Sequence, residues 1–124
     1  MRLWRRNMML NEIIKGYRRA ARESEEREAR LLNERWEQAW QLAHKAAALL
    51  RGKYHVTRIV VFGSLVRRQM FTPWSDADIA AWGIAPEHTF QAIADMLWIS
   101  AGIEVNLVDV NTCSSSLLAT IERE

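Results

Sequence analysis

Two aspartates and a glycine–serine pair carry the chemistry open to this sequence. Asp76 and Asp78 stand two residues apart in Ser75-Asp76-Ala77-Asp78-Ile79-Ala80, a run that reads as a strand. Side chains at i and i+2 leave a strand on the same face, so the two carboxylates project side by side. Carboxylates held together repel, and one is pushed toward its protonated form unless a cation lies between them. Mg²⁺ suits such a pair, because it is held by one or two carboxylates together with substrate phosphates. Upstream, Gly63-Ser64 follows the apolar run Ile59-Val60-Val61-Phe62, which reads as a buried strand. Glycine lets backbone approach a phosphate closely, and N–H groups opening a helix favour an anion. The Ser64 hydroxyl adds a donor.

The flanking residues supply the elements that position these groups. Leu65 to Met70 reads as a short helix, which Pro73 ends. Arg67 and Arg68 lie one turn into that helix, as candidates to steady a triphosphate or as solvent-facing charges. Trp74 and Trp82 flank the aspartate strand, as packing residues or as a wall for a base. Beyond the loop Trp82–Ala85, Pro86 and Glu87 suit a helix first turn. Phe90, Ile93, Ala94, Leu97 and Trp98 recur as that helix's apolar face, and Gly102 ends it. Ile103 to Val110 reads as a third strand. Ser114 or Ser115 caps a last short helix carrying Leu117, Leu118 and Ile121.

Residues 2–51 hold no proline and one glycine, Gly16, and their Ala, Arg, Glu and Leu content predicts a mostly continuous helix. One apolar patch comprises Trp4, Met8, Met9, Ile13, Ile14 and Tyr17. A second runs through Leu31, Leu32, Trp36, Ala39, Trp40, Ala43, Ala47 and Leu50, and is expected to pack on the sheet. Between them, Arg18 to Arg30 is almost all charged or alanine, with Glu23–Arg27 and Glu26–Arg30 spaced to pair. The first patch lies too far along a rigid helix to reach the same core, so it is expected to bury itself in another chain. Arg2, Arg5, Arg6, Lys15, Arg18 and Arg19 around it also allow a nucleic-acid contact. Gly52 is a candidate cap for the helix C-terminus.

At 124 residues, with 49% hydrophobic and 26% charged residues, the chain fits one soluble domain with a modest core. We read residues 1–51 as a helical association region and residues 52–124 as the catalytic core, in a single structural unit. The net charge of +2 is compatible with nucleic acid without requiring it. No apolar run approaches a membrane span, and the basic start lacks a signal-peptide core. The single cysteine, Cys113, excludes an internal disulfide, reads as an inert thiol and suits a reducing cytoplasm. His44, His55 and His88 show no zinc-ligand spacing.

An apolar strand, Gly63-Ser64, eleven residues, then Asp76-Ala77-Asp78 resembles the nucleotidyltransferase superfamily that includes DNA polymerase β. The pattern is most similar to its minimal nucleotidyltransferases, often encoded beside HEPN-type partners in toxin–antitoxin pairs, and covers residues 56–124. The resemblance implies an α/β (α+β) nucleotidyltransferase fold, a small mixed sheet with packed helices, here preceded by the long helix. It implies transfer of NMP from an NTP, with ATP expected, to an acceptor hydroxyl. Asp76 and Asp78 would bind Mg²⁺, at two sites in the family, and Gly63, Ser64, Arg67 and Arg68 would contact the nucleotide.

The family's third carboxylate falls at Asn106, where the amide is an uncharged and weaker ligand. Glu104 shares the face of Asn106 by alternation and is a candidate substitute, whereas Asp109 falls on the opposite face. Two readings therefore stand: a slow or impaired transferase acting on a HEPN-type partner, or a regulator that binds nucleotide or a toxin without turnover. A third is a nucleic-acid module built on the basic helix. Its affinity would fall steeply with salt.

Overall fold

A computed structural model describes the backbone of residues 2–123 and the side chains of residues 8–123. Trp4, Arg2, Arg5 and Arg6, named above for the first patch and its basic surround, lie outside the described side chains. The architecture is mixed α+β, with a long N-terminal helix, α1 (Arg2–Tyr54), and among the described residues one three-stranded sheet. The chain divides into two compact units, Met1–Glu34 and Arg35–Glu124. In the first, α1 is continuous through the charged stretch, as the composition predicts, and the described apolar residues Met8, Met9, Leu10, Ile13, Ile14 and Tyr17 are all exposed.

The second unit holds the sheet, in the order β1 (Arg58–Phe62), β2 (Ala77–Trp82), β3 (Val105–Asp109). β1 and β2 are antiparallel, while β2 and β3 run parallel, joined through α2 (Thr89–Ile99). Val60, Phe62, Ala80, Trp82 and Val108 pack on one face with Leu117 and Ile121 of α3 (Ser115–Glu122). Ala77, Ile79 and Ala81 occupy the other face of β2 and are fully buried. The α1 segment in this unit buries Ala39, Ala43, Ala46 and Leu50, residues three and four apart whose small side chains permit close approach.

Several expected elements differ from what forms. The aspartate strand begins at Ala77, not Ser75, so Asp76 lies just before it. β3 is likewise shorter than residues 103–110: the Ser100 hydroxyl accepts from Val105 N–H, and Asp109 ends the strand by capping Asn111 N–H. Residues 65–70 form no α-helix. Gly63–Val66 and Arg68–Met70 are separate 3-10 turns broken at Arg67. The Leu65 carbonyl, which an α-helix would spend on residue 69, instead accepts from the Trp36 indole at 3.0 Å.

Helix α1 also runs through Gly52 to Tyr54. His55, at φ 55°, takes the left-handed position that a C-terminal glycine would fill, and Asp95 accepts from both Lys53 and Tyr54 in the last turn. The face of α2 is the largest departure. Ala92 and Met96 are buried, whereas Phe90 and Trp98 are nearly 90% exposed and Leu97 is half exposed. Polar anchors fix this rotation. Thr89 donates to buried Asp109 at 2.7 Å and Asp95 meets Lys53 and Tyr54, which turns the opposite side of the helix outward. Asp109, paired with Ala81, faces α2 and not Asp78, as alternation predicts. Ser114 is the cap of α3, accepting from Leu117 N–H.

Candidate functional site

The site is built where β1 ends against the middle strand. Asp78 on β2 is registered with Phe62 of β1 and Asn106 of β3, so the three side chains share a sheet face. Immediately after Phe62, Gly63 takes φ +77° and brings the chain over the Asp78 carboxylate. A Cβ at Gly63 would lie 2.7 Å from Asp78 Oδ2, so the carboxylate would have to shift to admit it. Glycine therefore suits the left-handed backbone and leaves the Asp78 carboxylate undisturbed beside Asn106.

Asn106 Nδ2 donates to Asp78 Oδ1 at 3.2 Å. The amide thus serves the aspartate as a donor. A carboxylate in its place would confront Asp78 across the ladder with a like charge. The Asp78 carboxyl is held above the usual carboxylate range, chiefly by burial, with the nearby Asp76 charge adding to the effect and the Asn106 hydrogen bond opposing it. Asp76 is half-buried at the entry to β2. Its neighbours are fixed from two sides: Ala77 N–H donates to the Glu104 carbonyl at 2.9 Å, and the Arg35 guanidinium donates to the Ser75 carbonyl at 3.1 Å.

Arg35 and Trp36 are the residues that motif reasoning missed. The Arg35 guanidinium also donates to the Gly102 carbonyl at 3.2 Å, tying the segment before Asp76 to the one before β3. Trp36 holds the turn after Gly63 through Leu65. A signal existed for both: Arg35 lies three residues after Leu32 and four before Ala39, on the inward spacing of the second patch.

The remaining candidates divide. Ser64 is half-buried in the turn beside Gly63, and its carbonyl accepts from Arg67 N–H at 3.2 Å. Arg67 is exposed. Arg68 is half-buried with its guanidinium 5.6 Å from the Trp36 ring, so a cation–π contact already engages it. The Glu104 side chain is exposed just ahead of β3. Trp82 packs under Arg58, 4.4 Å from its ring. Trp74 is 84% exposed on a turn tied by Thr72 and Ser75.

Among the described residues no group of three or more His, Cys, Asp or Glu side chains gathers as a metal site. What Asp76 and Asp78 offer is a two-carboxylate set steadied by an amide, with glycine backbone against one oxygen. That set fits a hard cation that arrives with phosphate oxygens of its own. No protein-family model matches the chain, and no curated protein or solved structure matches it either.

Proposed function

We propose that this chain binds a nucleoside triphosphate with Mg²⁺ and transfers its nucleotidyl group to an acceptor hydroxyl. The observation that carries the reading is the Gly63–Asp78–Asn106 arrangement, in which a glycine turn overlies a half-buried aspartate beside a second acid. In the reaction the acceptor oxygen bonds to the α-phosphorus, the bond from that phosphorus to the bridging oxygen breaks, and pyrophosphate leaves with the electron pair. Mg²⁺, when bound, neutralises the phosphate charge and acidifies the attacking hydroxyl. Asp76 and Asp78 are the residues that would hold it. Asn106 orients the Asp78 carboxylate, and the Gly63–Ser64 turn gives the triphosphate a close backbone approach. The proton of the acceptor passes to a carboxylate of the pair. The nucleotide expected is ATP, and the expected acceptor is a partner protein of the HEPN type, both from the family resemblance. A cytoplasmic setting belongs to the same reading.

One observation favours a second reading, a nucleotide-binding regulator with little turnover. Asn106 sits at the register position opposite Asp78 and adds no charge for a second cation. Losing even a supporting group around a metal costs about 10–100-fold in affinity or activity. The test follows labelled AMP onto a candidate partner for the wild type, Asn106→Asp and Glu104→Gln. A transferase limited by Asn106 is faster as Asn106→Asp. Loss of transfer in Glu104→Gln, with Asn106→Asp no faster than wild type, makes Glu104 the third ligand. Absence of transfer in all three, with ATP still bound, selects the regulator.

A further inference from the structure

The first unit is a helix in which none of the described side chains is fully buried. Between Met8 and Leu31 every side chain is exposed except Ser24, which is half-buried. A helix without tertiary partners draws little stability from propensity alone, since most helical stability in proteins comes from packing an amphipathic face. Such a face is present: Leu10, Ile13, Tyr17, Ala21, Ser24 and Leu31 follow one another at intervals of three, four and seven residues. Ile13, Tyr17 and Leu31 are 49%, 74% and 56% exposed, so the stripe is large and uncovered.

The charges of the arm say what covers it. Residues 8–22 carry four cations, Lys15, Arg18, Arg19 and Arg22, against one acid, Glu12. Residues 23–34 carry five acids, Glu23, Glu25, Glu26, Glu28 and Glu34, against Arg27 and Arg30. The arm is therefore complementary to itself when reversed. We propose that two copies of this chain dimerise by antiparallel pairing of residues 8–34. Arg18 and Arg19 of each copy lie opposite Glu25 and Glu26 of the other, and Ile13 lies near Leu31. The pair crosses at Arg22, where the small side chains of Ala20, Ala21 and Ser24 let the backbones approach. Parallel pairing sets Arg18 against Arg18 and Glu25 against Glu25, and charges flanking a helical seam fix orientation in this way. A nucleic acid is the poorer occupant, because the acids at Glu23 to Glu28 oppose phosphate along half the arm.

The test is the mass of the full chain by sedimentation equilibrium. The wild type is expected at twice the chain mass at low salt, with association weakening as salt rises. Arg18→Glu/Arg19→Glu/Arg22→Glu and Glu23→Arg/Glu25→Arg/Glu26→Arg are each expected to be monomeric alone and to form a dimer when mixed. Circular dichroism checks that both variants remain helical. Orientation is read independently in a Cys113→Ser background, where an Ile13→Cys copy should form a disulfide with a Leu31→Cys copy and not with itself. A monomeric wild type overturns the proposal. So does a dimer indifferent to both charge reversals, a dimer strengthened by salt, or preferential Ile13→Cys self-crosslinking.

Discussion

Gly63→Ala perturbs the centre of the site by a single methyl group. At φ +77° the new side chain meets the left-handed penalty, about 1–2 kcal/mol for an L-residue. Its Cβ would also lie 2.7 Å from Asp78 Oδ2, so the carboxylate must move and its bond to Asn106 is strained or lost. A hydrogen bond to a charged group is worth about 1.5–3 kcal/mol. The two effects together predict a loss of about 2.5–5 kcal/mol. Gly102 provides an internal control, because it has the same φ of +77° with nothing within 4 Å of an added Cβ. Gly102→Ala should therefore show the backbone effect alone. Urea unfolding of the two variants separates the terms, and Gly63→Ala combined with Asp78→Ala should recover most of the difference, since the clashing atom is gone. Equal losses at Gly63 and Gly102, or strict additivity of Gly63→Ala with Asp78→Ala, would refute the close packing of turn and carboxylate.

Other perturbations test the surroundings of the site. Asn106→Asp removes a donor from Asp78 and adds a like charge, so without metal its stability should fall by about 1.5–3 kcal/mol. Added Mg²⁺ should raise its melting temperature more than the wild type's, and an equal rise in both would contradict the donor role of Asn106. Asp78 and Asp95 should shape acid titrations oppositely. Asp78 is held above the ordinary aspartate pKa, so its burial weakens the fold progressively as pH rises from that ordinary value through the folded pKa, and Asp78→Asn removes this decline. Asp95 is held below the ordinary aspartate pKa by its hydrogen bonds from Lys53 and Tyr54, so its contribution is present above that ordinary value and lost as pH falls through the folded pKa. Asp95→Asn should flatten that acid limb in a stability–pH profile. Met96→Ala should cost about 2–5 kcal/mol and Trp98→Ala less than about 0.5 kcal/mol, measured by urea unfolding. The reverse order would restore the helix face expected from sequence.

The legible parts were those written in local spacing. Ile59 to Phe62 fell on a strand because a β-branched apolar run has few other uses. Alternation set Asn106 and Asp109 on opposite faces, while the place of Asn106 beside Asp78 came from the family resemblance. The continuity of α1 through Arg18 to Arg30 followed from composition. Illegible were the choices settled by distant partners. Four large apolar residues and Ala94 nominated one face of α2, yet the Thr89–Asp109 and Asp95–Tyr54 bonds turned the helix to bury Ala92 and Met96. The Trp36 indole claimed the Leu65 carbonyl and left 3-10 turns where a helix was expected. Arg35 was passed over because a cation among apolar residues reads as surface charge, while its partners are backbone carbonyls 40 and 67 residues away.

The most direct test of the proposed site is calorimetry of the full chain with ATP, with and without Mg²⁺, beside Asp78→Ala. The account predicts saturable binding that requires the metal and disappears in the variant, whose fold circular dichroism should show intact. Binding of equal strength without Mg²⁺, binding retained in Asp78→Ala, or no binding at all would contradict it.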